Sequence, residues 1–429
     1  FFAKLIQLVI VILYSKLITP EELGKFFMFF FICQLLAYVF FGNINSTIKH
    51  FLLKDPDQLK TTYFKYSFAI LIVSTLIFMA IKTVFIIDIK YAVFSIVLGA
   101  SIFLENYILG IRKYSISAKY NIAKSIIELI LIYFFIAFGL GGFELRYYPL
   151  IFTLLLTLIV FVLIIMRVSK ETIRSQTQRL SVKRVLTFSS SILIHTCLMI
   201  FFNQSNRYFV GEIHSEELSG YYSVLHTIGN VIFLVSMFYN SIMIDKIYGF
   251  KKEKNRLGVG TYINDFIKIY SMVSTLIYLG IFLTLPLLLD TNYIEYDFII
   301  LSMFTSNIFF ILYQFFSADL NYYENHKAIT IKSFFAVILG LMISVFLIFK
   351  YQLLGAAISI AVYNFLLFIF YFNYKYIVIL DLRTVFFAAS NIIIVFTLYI
   401  NNTFGILSIL LISLTFCKDI KNLKWKSLF

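Results

Sequence analysis

The chain has 429 residues, of which 61% are hydrophobic, 19% are aromatic and only 14% are charged. Its mean hydropathy is +0.91. A soluble protein of this length needs more charged surface, so the composition excludes an ordinary soluble fold and predicts a membrane protein. The formal net charge of +14 does not require a nucleic-acid partner, because basic loops that face anionic lipid headgroups explain it.

Apolar runs of about 17 residues or more recur along the whole chain, and this is the length of a helix that crosses a bilayer. The runs do not alternate between apolar and polar residues as barrel strands do, so helices are predicted. Because the last two runs are short and meet at a turn, twelve spans followed by a hairpin is the alternative to fourteen spans. In chain order, the fourteen candidate spans are 1–18, 26–42, 63–87, 91–111, 118–139, 148–166, 187–208, 221–244, 264–289, 297–318, 328–349, 353–374, 384–400 and 403–417.

A short polar motif is repeated in the two halves of the chain. The sequence Glu-Glu-Leu occurs at Glu21–Leu23 and again 195 positions later at Glu216–Leu218, each time just before a long apolar run. The same displacement carries Asn45 onto Asn240. Two matches in one register predict a duplicated helical unit, which is how many transporters are built.

The predicted spans also relate the two copies in space. An even number of spans separates them, so the copies share one orientation and are predicted to be related by a two-fold axis along the membrane normal. A glycine-containing turn closes a hairpin late in each half, at Phe138–Gly142 and at Gln352–Ala357. This second correspondence supports the duplication.

Basic residues are unevenly distributed between the predicted loops. Most of the 36 lysines and arginines fall in the loops after even-numbered spans and in the C-terminal tail. Since basic loops favour the cytoplasmic side, both termini are predicted to be cytoplasmic and both Glu-Glu-Leu copies to face outwards.

The predicted fold is an all-α polytopic membrane protein with two six-helix bundles related by pseudo-two-fold symmetry. The chain opens on Phe1 and its first apolar run is short, so the first helix is expected to be truncated. The predicted parts are a first bundle at 1–167, a basic cytoplasmic linker at 168–186, a second bundle at 187–376, and a helical hairpin with a basic tail at 377–429.

No catalytic motif accompanies these helices. The sequence has no glycine-rich phosphate loop ending in Gly-Lys-Ser or Gly-Lys-Thr, and its five histidines lack the spacing of metal ligands. Its three cysteines fall in or beside apolar runs and do not indicate a disulfide framework. We therefore expect a protein that is not an enzyme and that needs no cofactor or metal.

Charged residues inside apolar spans are costly, so each is a candidate functional group. Glu105 and Glu128 lie in the fourth and fifth spans, at depths that overlap the depth of Lys124. One interpretation is a structural ion pair with Lys124 that joins the two spans. The other is a proton- or cation-coupling site formed by the two carboxylates.

The seventh span ends in an unusually polar segment that contains Asn203, Asn206 and Arg207. These three residues share one helical face, so they are predicted to project together, as an interfacial cap or as a patch that contacts an anion. Five more polar residues near span ends are candidates for substrate binding, with helix capping or contact with lipid headgroups as the alternatives. They are Asn45, Asn240, Lys49, Arg112 and Lys332.

The segment Leu17–Phe26 resembles the opening signature of polysaccharide repeat-unit flippases of the Wzx type. Arg207–Tyr222 resembles the recurrence of that phrase after the seventh helix, and Gly355–Ser359 resembles a phrase of the late hairpin. The likeness covers nearly the whole chain. Its motifs are shared with the wider superfamily, which includes multidrug extruders and lipid II flippases.

The resemblance implies a transporter of the bacterial inner membrane that moves undecaprenyl-diphosphate-linked oligosaccharides by alternating access, for O-antigen, capsule or other surface polysaccharide. The partners it implies are the lipid-linked glycan, membrane lipids, a glycan polymerase and chain-length machinery. It also implies a cationic lumen, for which Arg207, Lys49, Arg112 and Lys332 are the candidates. Asn206 stands where the family often has an acidic residue. This departure moves the expected ion coupling to Glu105 and Glu128.

Two other functions are considered. A multidrug or cation extruder of the same fold would need acidic rather than basic groups in its cleft. A membrane-embedded glycan polymerase or acyltransferase would need a sizeable outer loop or a His/Asp centre, and the sequence has neither.

Overall fold

The structure is a computed structural model that describes residues 2–39, 75, 88–110, 114–170, 182–253, 255–323, 325–372 and 381–400. Within these residues it is helical and contains no strand, as the apolar runs predict. The predicted spans 63–87 and 403–417 lie outside the described residues, apart from Thr75. The helices are α1 Phe2–Leu17, α2 Pro20–Ala37, α3 Ile89–Gly110, α4 Tyr114–Ala137, α5 Gly142–Lys170, α6 Val182–Ile213, α7 Glu216–Lys252, α8 Arg256–Leu288, α9 Thr291–Ile294, α10 Phe298–Tyr322, α11 His326–Tyr371 and α12 Leu382–Ile400.

Six stretches of the described chain are long and apolar enough to cross a membrane. Many large apolar side chains on them point away from the protein, and Leu287 and Phe349 are 79% and 74% exposed. Apolar surface on this scale fits a lipid environment and not water. The six stretches are Ile89–Leu109, Ser115–Ala137, Gly142–Val160, Gly258–Leu288, Thr291–Tyr322 and Lys327–Tyr371.

The chain divides into two compact units. Unit 1 consists of Phe1–Ser223 and Glu324–Val337, and unit 2 consists of Val224–Tyr323 and Ile338–Phe429. Unit 1 therefore includes α6 and the first residues of α7 and α11, and it runs beyond residue 167. The bundle boundaries given by the sequence remain a prediction.

The starts of the helices follow local chemistry. Thr19 caps α2, its hydroxyl accepting a hydrogen bond from the Glu22 N–H at 3.4 Å, and Pro20 occupies the first helical position. Ser215 caps α7 in the same way, accepting from the Leu218 N–H at 3.1 Å. The acidic residues of both Glu-Glu-Leu copies lie in the first turn of a helix, where the helix dipole favours negative charge.

Both predicted hairpin turns are present. Gly139 and Gly142 adopt φ values of +74° and +56° between α4 and α5, a conformation that costs a glycine little. In unit 2, α11 is interrupted at Gln352, whose φ is 53°. A Cβ atom on Gly355 would lie 2.0 Å from the Leu347 carbonyl oxygen, so the chain folds back tightly here. The long helix α11 is thus two helices joined by a sharp turn.

The cores of the two units are aromatic. In unit 1, Phe29 is central, with ring centroids 4.5 Å from Tyr91, 5.4 Å from Phe143 and 5.7 Å from Tyr147. In unit 2, α7, α8 and α10 share a buried cluster in which Phe266 lies 5.5 Å from Phe315. Such edge and tilted contacts are the favoured geometry of aromatic pairs.

Candidate functional site

The two Glu-Glu-Leu segments contact each other directly in unit 1. A Cβ atom on Gly24 would lie 2.0 Å from the Glu216 carbonyl oxygen, and one on Gly220 would lie 1.8 Å from the Pro20 carbonyl oxygen. Each helix thus places a glycine of its second turn against the first carbonyl of the other helix. Only glycine permits backbones to approach so closely. The contact is reciprocal, as a local two-fold relation requires.

The register of this relation differs by one residue from the register of the tripeptide match. The caps Thr19 and Ser215, and the glycines Gly24 and Gly220, correspond at a displacement of 196. The same displacement relates the Lys25–Glu21 bond to the bond that the Tyr221 hydroxyl donates to Glu217 at 3.2 Å. The 195-residue register was therefore wrong for these helix starts, because capping and not the position of the acidic residues fixes where a helix begins.

The predicted correspondence between Asn45 and Asn240 is not tested by the described residues. Asn45 lies outside the described residues, and Asn240 lies in α7 at a position whose side chain is not described. Lys49 and Arg112 also lie outside the described residues. These four assignments remain predictions.

Arg207 is the most deeply buried basic residue among the described side chains, with 4% of its surface exposed. Its guanidinium carbon lies 4.8 Å from the centroid of the Phe27 ring, a favourable cation–π arrangement. Its carbonyl accepts a hydrogen bond from the Ser219 hydroxyl at 2.8 Å, which ties α6 to the start of α7. Asn206 is also buried, at 1%, whereas Asn203 is exposed.

The prediction that these three polar residues project together was therefore wrong for Asn203. A shared helical face fixes the direction of side chains, but neighbouring helices decide which turns of that face are covered. Asn206 and Arg207 remain candidates for a common site.

A second guanidinium lies beside the same turn of α2. Arg146, in the first turns of α5, has its guanidinium carbon 4.2 Å from the Tyr14 ring centroid and 5.3 Å from that of Phe26. Its Nη1 donates to Glu128 Oε1 at 3.1 Å, and only 12% and 5% of the two side chains are exposed. Consecutive residues Phe26 and Phe27 thus contact the two buried arginines.

The sequence did not single out Arg146, and it assigned the wrong partner to Glu128. Glu128 pairs with Arg146 and not with Lys124, because the turn at Gly139–Gly142 folds α5 back against α4. The carboxylate of Glu105 instead accepts a hydrogen bond from the Asn121 amide at 2.9 Å. An arginine at the start of an apolar run was the signal that could have identified this pair.

Lys332 of α11 and Arg207 lie at different levels along helix α6. The adjacent residue Ser333 is hydrogen-bonded to His195, which lies on α6 with Arg207. Twelve residues of helix separate His195 from Arg207, a rise of about 18 Å. Lys332 therefore belongs to unit 1, but at a different depth from Arg207.

A cavity of about 540 Å³ lies beside the contact between the Glu-Glu-Leu segments, entirely within unit 1. Its walls come from α2, α3, α5, α6 and α7. Lys25 crosses its edge and pairs with Glu21 at 2.7 Å and with Glu216 at 3.5 Å. The hydrogen bond that Lys25 donates to Glu21 raises the pKa of the Lys25 ammonium. Since these side chains are 40–58% exposed, the ion pairs contribute little to stability.

No group of three or more potential metal ligands occurs among the described residues. The arrangement instead offers buried positive charge near Phe26 and Phe27 and a polar cavity at the neighbouring helix ends. Both features suit the binding of a polar molecule.

Comparison with protein-family models and with curated protein sequences gives no match. Among solved structures, a multidrug resistance MATE family transporter of the MOP superfamily in its outward-facing conformation is similar, with a TM-score of 0.61, 15% identity, and coverage of 88% of this chain and 93% of that chain. The inward-facing conformation of such a transporter gives a TM-score of 0.55 at 16% identity, over 88% and 94% of the two chains. A eukaryotic MATE transporter gives 0.52 at 15% identity, over 92% and 94%. The chain is thus a membrane protein with the all-helical fold of the MATE transporters, a fold of two pseudo-symmetric bundles.

Proposed function

We propose that this chain is a transporter that moves lipid-linked oligosaccharide units across a bacterial inner membrane by alternating access. Its fold is similar to both the outward-facing and the inward-facing form of a MATE family transporter, which supports the mode of action. The choice of substrate is supported by the charges buried in unit 1.

Those charges have a net positive sign. Among the described side chains, Glu128 is the only acidic residue that is buried, and Arg146 compensates its charge at 3.1 Å. Arg207 adds a further positive charge that is 4% exposed. A buried guanidinium attracts an anion and repels a cation, and it can bind phosphate through two hydrogen bonds. The two guanidiniums of Arg146 and Arg207, held against the consecutive rings of Phe26 and Phe27, are the observation that carries the proposal.

The transport task fits this chemistry. The diphosphate and the sugars of such a lipid cannot enter hydrocarbon without a large loss of hydration, whereas its polyprenyl tail can remain there. A protein path lined by guanidiniums and amides lowers the barrier for the polar head alone. Arg207 and Asn206 are the residues that we assign to the phosphate.

The experiment replaces Arg207 in a strain that lacks the native gene and measures lipid-linked glycan on the outer leaflet. Arg207→Ala is expected to lower export at least tenfold, about 1.4 kcal/mol of lost stabilisation. Arg207→Lys should restore part of it, since charge remains but paired hydrogen bonding is lost. Arg383→Ala removes the same charge at an exposed position of α12 and serves as the control. Wild-type export by the Arg207→Ala protein, at normal abundance, would contradict the proposal.

A multidrug extruder is the second candidate, because the similar outward-facing and inward-facing structures are those of a multidrug resistance transporter. Efflux of ethidium separates the two functions. Ethidium efflux that depends on the chain, with unchanged lipid-linked glycan in the deletion strain, would establish the extruder instead.

A further inference from the structure

The cavity beside the Glu-Glu-Leu contact carries charges of both signs. Lys25 and Lys90 face it together with Asp88, Glu212 and Glu216. A cation would meet two ammonium groups there, and a diphosphate would meet three carboxylates. The wall is therefore unfavourable to a molecule with a large charge of either sign. It is favourable to a neutral molecule that both donates and accepts hydrogen bonds, because ammonium groups donate and carboxylates accept.

The same cavity has aromatic walls. Phe29, Tyr91, Phe143 and Tyr208 line it, and the Phe29 ring lies 4.5 Å from Tyr91 and 5.4 Å from Phe143. Aromatic faces present flat apolar surface, while a tyrosine hydroxyl adds a polar group at the ring edge. A sugar ring has the matching construction, with C–H groups on its faces and hydroxyls around its rim. The volume of about 540 Å³ falls within the usual range of ligand pockets.

The position of the cavity connects it to the duplicated helices. Lys25 and Glu216, which face it, are joined at 3.5 Å across the contact between α2 and α7. A molecule in the cavity would therefore touch both copies of the repeated segment. The charge distribution of the sequence assigns this end of the helices to the outer side.

We propose that this cavity binds a neutral sugar of the transported glycan, apart from the place where the phosphates bind. The proposal rests on the proposed function and deepens it, since it separates recognition of the sugar from recognition of the diphosphate. The aromatic rings carry the faces of the sugar, and the lysine and carboxylate side chains bind its hydroxyls.

Saturation-transfer NMR on the purified full chain in lipid nanodiscs tests the site, with three soluble probes of different charge. The probes are chitotriose in its fully N-acetylated form, which is neutral, tetraphenylphosphonium, which is a cation, and inorganic pyrophosphate, which is an anion. Chitotriose is expected to receive saturation, and Tyr208→Ala and Glu212→Gln should each weaken its binding about tenfold. Glu212 is exposed, so its replacement does not threaten folding. Tyr133→Ala removes a tyrosine that is 60% exposed on α4 and serves as the matched control.

Three outcomes would overturn the sugar site: no saturation of chitotriose, saturation that both variants retain, or binding of a charged probe in its place. Export of lipid-linked glycan is measured on the same variants, so that the two proposals are tested separately. Glycan export without chitotriose binding would refute the cavity and leave the proposed function standing. Chitotriose binding that Tyr208→Ala abolishes, in a chain whose deletion leaves glycan export unchanged, would refute the function and keep the site.

Discussion

The two units of the molecule bury polar groups in different ways. Unit 1 buries the charged side chains of Glu128 and Arg207, and Arg146, which pairs with Glu128, is 12% exposed. Unit 2 uses neutral groups, such as the Thr275 hydroxyl that donates to the Asn391 amide oxygen at 3.0 Å. Its Lys268 is 13% exposed, close to the 12% of Arg146, but the partner Asp381 is 50% exposed and the pair is longer, at 3.9 Å. Helical units of one fold can thus be stabilised with or without an ion pair whose two members are both shielded from solvent. A charge kept despite its desolvation cost is the better candidate for function.

The largest loss of stability is expected when the buried ion pair of unit 1 is broken. Glu128→Gln leaves the Arg146 guanidinium buried without its carboxylate, so the free energy of unfolding should fall by about 3 kcal/mol. Thermal unfolding in detergent measures this loss. The control is Glu144→Gln, because Glu144 is exposed and lies with Arg146 near the start of α5. A variant as stable as the wild type would show that the pair has no structural role. Coupling through Glu128 would then become the stronger interpretation.

The glycine contact should give the next largest effect. Gly24→Ala or Gly220→Ala introduces a Cβ atom about 2 Å from a carbonyl oxygen, so the helix starts must separate, at a cost of about 2 kcal/mol. Export of lipid-linked glycan should fall as well, since the duplicated segments could no longer meet. Gly280→Ala is the matched control, because nothing lies within 4 Å of the added atom. Equal stability of all three variants would mean that the contact is not formed in the membrane.

A smaller effect is expected from the neutral interior of unit 2. Asn391→Leu removes one of two acceptors of the Thr275 hydroxyl, which also donates to the Ser271 carbonyl at 2.9 Å, so the free energy of unfolding should fall by no more than about 1 kcal/mol. A double-mutant cycle with Thr275→Val isolates this one bond. Glycan export should stay normal in the folded fraction. Loss of export without loss of stability would remove the proposed distinction between the two units.

The smallest effect concerns Lys251, which follows the predicted span 221–244. Burial lowers the pKa of Lys251 to about 8, although its ammonium lies 4.9 Å from the Tyr323 ring centroid and 5.3 Å from that of Tyr322. The unfolded chain then binds more protons than the folded chain between about pH 8 and the ordinary lysine pKa. Stability should therefore rise with pH across that window. Unfolding midpoints should show this rise in the wild type and a weaker one in Lys251→Met. Identical pH profiles would show that Lys251 keeps its ordinary pKa.

The sequence by itself determined the class of the protein and much of its helix pattern. Composition alone predicts a membrane protein, because so few charged residues cannot cover the surface of a soluble protein of this size. The helix starts at Pro20 and Glu216 and the turns at Gly139–Gly142 and Gln352 follow from capping and from backbone conformation, which are local properties. Because helix capping depends on local sequence, the repeat was recognisable as a recurring sequence motif.

Only the tertiary structure decided which side chains meet. It gave Glu128 the partner Arg146, exposed Asn203 while burying Asn206, and brought Gly24 and Gly220 against each other's helix starts. It also formed the cavity from five helices, with side chains as far apart in the chain as Lys25 and Glu216. Residue spacing fixes the direction in which a side chain leaves its own helix. The neighbouring helix that receives it depends on how all of the helices pack.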